Sequence, residues 1–303
     1  MAGNNFSYLF QTRLNEVIVY YDYVPSERVW GSWDKPKMDN FKQAKPYSGD
    51  ITTHARRRLK RAIECLYMIT PTVKVFNRSL GRQTKFRLSH LTLTLSAKQG
   101  TRSDKEINKF ILQPFMRDCK RKLGMKNYVW KAETQENGNI HYHIISDLYC
   151  DYNIVRKYWN NHQNTFRFID DFKAVHGHDN PNSIDIHYVK NDGQLAAYLM
   201  KYIAKNNTKE RKIVGKVWDC SAKLKQFKYF ATNLSIEEDK VFAEALDQIQ
   251  HEQYNQDYFS IIKFKDSNYI KLMPEVMKQQ YIDQFRKILD EQELSFITNR
   301  SKF

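Results

Sequence analysis

The chain has 303 residues, and its 49 Lys+Arg against 34 Asp+Glu give a formal net charge of +15. With 41% hydrophobic and 14% aromatic residues it holds enough apolar mass to bury a core, which excludes wholesale disorder. No apolar run reaches the roughly 18 residues of a spanning helix, the opening MAGNNFSYLFQTRLNE lacks a basic region followed by an apolar stretch, and Cys65, Cys119, Cys150 and Cys220 form no CxxC pair. A reducing compartment and a polyanionic partner are expected, with no membrane.

The charge is uneven. Residues 1–87 hold 16 basic and 7 acidic side chains, and the density peaks at Arg56, Arg57, Arg58, Lys60 and Arg61. Residues 1–84 are therefore expected to form a basic, mostly helical region that contacts DNA phosphates. Residues 88–96, LSHLTLTLS, alternate apolar and polar positions and predict a half-buried strand. Ser103-Asp-Lys-Glu106 is a capping-box pattern opening a helix to about Leu123, broken or kinked at Pro114 and stopped by Gly124. Residues 127–135 and 139–147 predict two strands joined through Glu136-Asn137-Gly138, which carries the Asn-Gly hairpin signal. A helix is expected over 151–163, a strand over 183–190 and a helix over 193–206. Two more amphipathic helices are expected over 237–254 and 274–292, so that 211–303 reads as helical. The order β-α-β-β-α-β-α predicts an α+β fold, a central antiparallel sheet with two helices on one face and the last helix on the other.

Two clusters carry chemistry. His141 and His143 lie two apart on the returning strand, so both imidazoles project from one face, with Ile140, Tyr142 and Ile144 on the other. Glu133, eight residues upstream, is folded back toward His141 by the turn, although the register that decides its face is not set by the sequence. Two imidazoles and a carboxylate suit a divalent ion such as Mg²⁺ or Mn²⁺, with zinc as the alternative. His176-Gly177-His178 repeats the spacing, but Phe168 stands eight residues upstream, so this pair reads as structural. In the helix of 193–206, Tyr198 and Tyr202 fall one turn apart, as do Lys201 and Lys205. A phenol near a lysine and a metal can attack a phosphodiester, keeping the bond energy in a phosphotyrosine.

Together, Leu91-Thr92-Leu93-Thr94-Leu95, Glu133 with His141-Tyr142-His143, and Tyr198-x-x-Lys201-Tyr202-x-x-Lys205 resemble three motifs of the HUH endonuclease superfamily. Specifically, they resemble the two-tyrosine rolling-circle replication initiators of small circular single-stranded DNA phages. The resemblance covers about residues 85–210 and implies that family's RRM-like nuclease fold, flanked by helical extensions. It implies that Tyr198 nicks an origin strand and stays linked to the 5′ phosphate, that Tyr202 makes the second attack, and that Lys201 and Lys205 stabilise charge. Thr92 and Thr94 are expected to contact DNA. Single-stranded or supercoiled origin DNA and a host polymerase are the implied partners, in the cytoplasm of a bacterial host. A host helicase joins them, since no GxxxxGK[ST] motif is present. A transposase or relaxase of the same superfamily, or a non-catalytic basic DNA-binding protein, are the competing readings.

Overall fold

The computed structural model describes residues 6–23, 51–77, 80–189 and 211–302. In chain order these form strands β1 (Phe6–Thr12) and β2 (Glu16–Tyr23), helix α1 (Thr53–Ile69), and strands β3 (Val73–Asn77), β4 (Arg82–Phe86) and β5 (Leu88–Leu93). A helical stretch follows, made of α2 (Asp104–Ile107), a π-helical turn (Asn108–Leu112) and α3 (Gln113–Lys122). The hairpin β6 (Tyr128–Thr134) and β7 (Ile140–Ser146) leads to α4 (Tyr152–Gln163), α5 (Asp170–His176) and β8 (Ile184–Val189). Beyond the undescribed 190–210 come β9 (Trp218–Cys220), α6 (Ala222–Gln226), α7 (Ile236–Gln248), β10 (His251–Asn255), β11 (Phe259–Phe264), α8 (Glu275–Arg286) and α9 (Glu291–Lys302).

The chain divides into two compact units, Tyr47–Lys225 and a split unit made of Met1–Pro46 with Gln226–Phe303. The first contains a five-stranded antiparallel sheet in the order β8-β5-β7-β6-β9. The expected α+β string is present from β5 to β8, with bounds within a few residues of those read from periodicity. The helix expected over 193–206 lies outside the described residues. On β7 the burial alternates as the pattern requires: Ile140, Tyr142 and Ile144 are buried, while His141 and His143 are only half-buried. α2, the π turn, α3 and α4 pack on one another as a helical layer, whose Asp104 and Asn108 lie beside Tyr142. Burial raises the Tyr142 phenol, and nearby Asp104 pushes it the same way. Within that layer Phe115 meets Trp159 edge to face at 5.3 Å. The indole N–H of Trp159 donates to the Thr94 carbonyl at 2.8 Å.

Ser103 and Glu106 form the expected capping box. Pro114 neither breaks nor visibly ends the helix. A proline lacks the N–H and crowds the carbonyl four residues back, and the π turn absorbs this one turn early, with the Gln113 N–H donating to the Asn108 carbonyl five residues back. Gly124 takes φ +78° and Gly138 φ +80°, the left-handed values that a helix stop and a three-residue hairpin loop demand.

The flanks correct the expectation of helical extensions. Residues 6–23 are a β-hairpin, and β3 with β4 makes a second one before residue 87. The helix expected over 237–254 stops at Gln248, because 251–255 pairs with β11 as β10. Hairpin pairing with the next strand overrides there a helical period that has few apolar positions left to sustain it. The resulting sheet of the split unit runs β1-β2-β11-β10 and joins the two ends of the chain. The helix expected over 274–292 ends at Arg286, and α9 starts afresh at Glu291. No described helix is long and apolar enough to cross a membrane. The four cysteines are free thiols, and burial pushes Cys220 up to about 11.

Candidate metal centre

The hairpin register supplies what periodicity alone left open. Glu133 is paired directly with His141, and Lys131 with His143, so all four side chains leave one face of the sheet. Glu133 Oε2 lies 3.7 Å from His141 Nε2 and 3.5 Å from His143 Nε2. Ligand atoms of the three residues all fall within 4.8 Å of one another, the one such metal-competent group among the described residues. Donors spaced in this way fit one ion with bonds of about 2.0–2.2 Å at open angles.

His143 and Glu133 are each oriented from outside the group, whereas both ring nitrogens of His141 are buried without a hydrogen-bond partner among the described residues. Thr92 on β5 pairs with His143, and its hydroxyl lies 3.2 Å from His143 Nδ1, which leaves Nε2 to face Glu133. His90 stacks on the His143 ring at 5.5 Å and 16°. Thr94 turns elsewhere and donates to the Ser183 carbonyl at 3.0 Å, tying the end of β5 to the start of β8. Lys131, with 3% of its side chain exposed, donates to Glu133 Oε1 at 2.9 Å. Lys131 was not singled out from sequence, although it stands two residues before Glu133 and so had to share its face.

The electrostatics suit a cation. Burial works to raise the Glu133 pKa, but the two imidazoles facing its oxygen and the Lys131 ammonium outweigh it and hold the carboxyl far below its usual range. Burial also lowers His143; His141 and Lys131 reinforce this while Glu133 opposes it. The result is an ionised carboxylate beside a neutral imidazole, the protonation states that metal ligation requires.

The loop between β6 and β7 is clamped from outside. Gln99 takes the Ile140 N–H on its side-chain oxygen at 2.9 Å and gives its own N–H to Asn139 at 2.8 Å. Arg211 donates to the Gly138 carbonyl at 2.7 Å and forks onto both oxygens of buried Asp104 at 2.7 Å. Burial raises the Asp104 pKa, yet Arg211, Gln99 and the Val214 N–H bring it below the ordinary value. A carboxyl depressed in the folded state contributes its stability above the unfolded pKa of about 3.9, and that stability is lost as pH falls through the folded value. Asp104→Asn is therefore expected to cost about 1.5–3 kcal/mol near neutrality. It should also flatten the acid limb of the stability profile, as urea melts across pH would register.

The remaining sequence-predicted residues divide. Arg56, Arg57, Arg58, Lys60 and Arg61 lie on α1, whose Cys65 sits close enough to Cys220 of β9 for their charges to couple. Arg58 stands over the Trp218 ring at 5.8 Å, and Lys60 reaches Glu64 at 3.4 Å. Because Trp218 pairs with Lys131, α1 covers the β9 end of the same face that carries Glu133, His141 and His143. His176 and His178 gather around Phe172 at 4.3 and 5.1 Å and belong to no metal-competent group among the described residues. Tyr198, Lys201, Tyr202 and Lys205 lie outside the described residues.

No curated protein and no solved structure matches this chain. A family model described as replication-associated protein ORF2 matches residues 89–207. That stretch holds Thr92, Lys131, Glu133, His141 and His143 together. The middle of the chain is thus similar to replication-associated proteins.

Proposed function

We propose that this protein is a replication initiator that nicks one DNA strand at an origin by metal-assisted tyrosine transesterification and rejoins it after rolling-circle synthesis. The observation that carries the reading is the Glu133, His141 and His143 group on one sheet face, inside a stretch similar to replication-associated proteins. Glu133, His141 and His143 would hold Mg²⁺ or Mn²⁺, which supplies positive charge to the phosphoryl oxygens. The chain's own groups do the rest. The Tyr198 oxygen gives up its proton and bonds to phosphorus; the bond from phosphorus to the 3′ oxygen breaks, and that oxygen leaves as a 3′-OH for a polymerase. One P–O ester replaces another, so no nucleotide triphosphate is consumed. Tyr202 performs the same exchange at the regenerated origin, and the 3′-OH that this second cleavage frees attacks the Tyr198 phosphotyrosine, closing the released circle and returning the Tyr198 phenol. Lys201 and Lys205 offset charge on phenolate and phosphate, Thr92 orients His143, and the basic residues of α1 contact the DNA backbone.

The test uses single-stranded fragments tiled across the replicon that encodes the chain. One fragment should yield a protein–DNA adduct that resists denaturation, forms with Mg²⁺ or Mn²⁺, and is lost with a chelator. Binding without an adduct on any fragment, with either metal, would leave only a non-catalytic DNA-binding protein.

A further inference from the structure

The unit that carries the metal centre has a second concavity on the same sheet face. Trp218 pairs with Lys131, and Lys131 pairs with His143, so the three side chains share a face across three neighbouring strands. Two strand spacings, about 10 Å, separate Trp218 from His143. There a cavity of about 450 Å³ opens between the start of α1 and β9. That volume lies within the range of small-ligand sites, roughly 300–1,000 Å³.

Its lining is chemically specific. Arg58, Lys216 and Lys225 contribute three cations, against the single carboxylate of Asp219. Both lysines reach Asp219, at 2.7 and 2.8 Å. Burial works to raise the Asp219 pKa, and the two ammonium groups more than reverse it. One lysine would suffice to neutralise this carboxylate, so the second lysine and Arg58 leave a surplus of two positive charges. The indole of Trp218 is half-buried and forms part of the wall. The Arg58 guanidinium stands 5.8 Å from it, near the outer limit for a cation–ring interaction. An arginine held that loosely can swing aside at little cost.

A flat aromatic wall beside surplus cations matches a nucleotide, whose base stacks while its phosphate is neutralised. We infer that this cavity seats one nucleotide of single-stranded DNA, its base against Trp218 and its phosphate among Arg58, Lys216 and Lys225. The seat lies about three stacked nucleotide steps of 3.4 Å from His143, so one strand can occupy both places along the sheet. The inference rests on the reading of Glu133, His141 and His143 as a DNA-cleaving centre, and extends it to where the flanking strand is held.

The experiment measures binding apart from cleavage. Fluorescence anisotropy of labelled oligothymidine is followed over a range of salt with the full chain. Trp218→Leu keeps an apolar wall and is expected to weaken binding about tenfold with an unchanged salt slope. Lys225→Ala, at an exposed position, is expected to lower the slope of log affinity against log salt by about 0.7. Mn²⁺ affinity should stay at the wild-type value in both, since neither residue is a ligand. With the unaltered protein, oligothymidine carrying one 5-iodouracil should photocross-link to the peptide that contains Trp218. A cross-link confined to other peptides overturns the seat, as do two folded variants with wild-type affinity and slope; neither result touches the metal centre. Failure of the unaltered chain to bind any single strand would overturn this seat and the initiator reading together. Binding at the seat without an adduct on any fragment would sink the initiator reading alone.

Discussion

Replacing Tyr198 and Tyr202 together with Phe should erase the covalent adduct, a loss on the order of 10⁴-fold or more in strand cleavage. Each change deletes one oxygen, so metal binding and single-strand affinity should survive. The single variants are expected to differ. Tyr198→Phe should lose the first nick, whereas Tyr202→Phe should nick once and fail to complete repeated rounds. The spacing of four residues in the sequence would set the two phenols one turn apart on a helix, from which each could reach the same phosphate by a small shift, as handing over an adduct without release requires. Peptide mapping of the adduct assigns the order. A phosphotyrosine found at 202 alone reverses the roles, and an adduct that persists in the double variant removes both tyrosines from the chemistry.

The second large effect concerns Glu133 and reads on stability as well as metal. Glu133→Ala takes away the carboxylate 2.9 Å from the buried Lys131 ammonium and the group that both imidazoles face. Removing one member of a buried ion pair costs about 3–5 kcal/mol, because the remaining charge stays desolvated. Urea melts in the presence of a chelator should show that loss with no metal involved. Pairing Glu133→Gln with Lys131→Met removes both charges and should recover most of the stability, since a neutral replacement of a buried pair is often well tolerated. Divalent-ion affinity should stay low in this double variant. Equal stability of Glu133→Ala and wild type would mean that the pair is far better solvated than its burial implies.

The hairpin that builds the metal centre was legible almost to the residue, because its information is local. Asn137-Gly138 calls for a short loop, and the three residues 136–138 between paired Gln135 and Asn139 fix the register that sets Glu133 opposite His141. A two-residue Asn137-Gly138 loop would have set Glu133 opposite Tyr142 on the other face, so the face of Glu133, and of Lys131 with it, follows from the three-residue loop length that the structure shows. Other features had no local signature. Arg211 and Asp104 meet across more than a hundred residues, as do Arg58 and Trp218. The β-branched and aromatic run at 17–23 favours a strand in its own right. It was submerged in a region read for its charge, and its second partner, β11, lies more than two hundred residues away.

That last pairing sets a timetable for synthesis. β2 emerges early, but β11, which satisfies one of its edges, begins at Phe259. At 5–20 residues per second the ribosome needs roughly 12–47 s to bridge that gap. Throughout the interval β2 exposes a row of backbone donors and acceptors able to recruit any extended segment nearby. Meanwhile everything in Tyr47–Lys225 has already been made. The unit that carries Glu133, His141 and His143 can therefore mature while the first strands still wait for the last third, and mispairing by nascent or damaged chains should concentrate at that early hairpin.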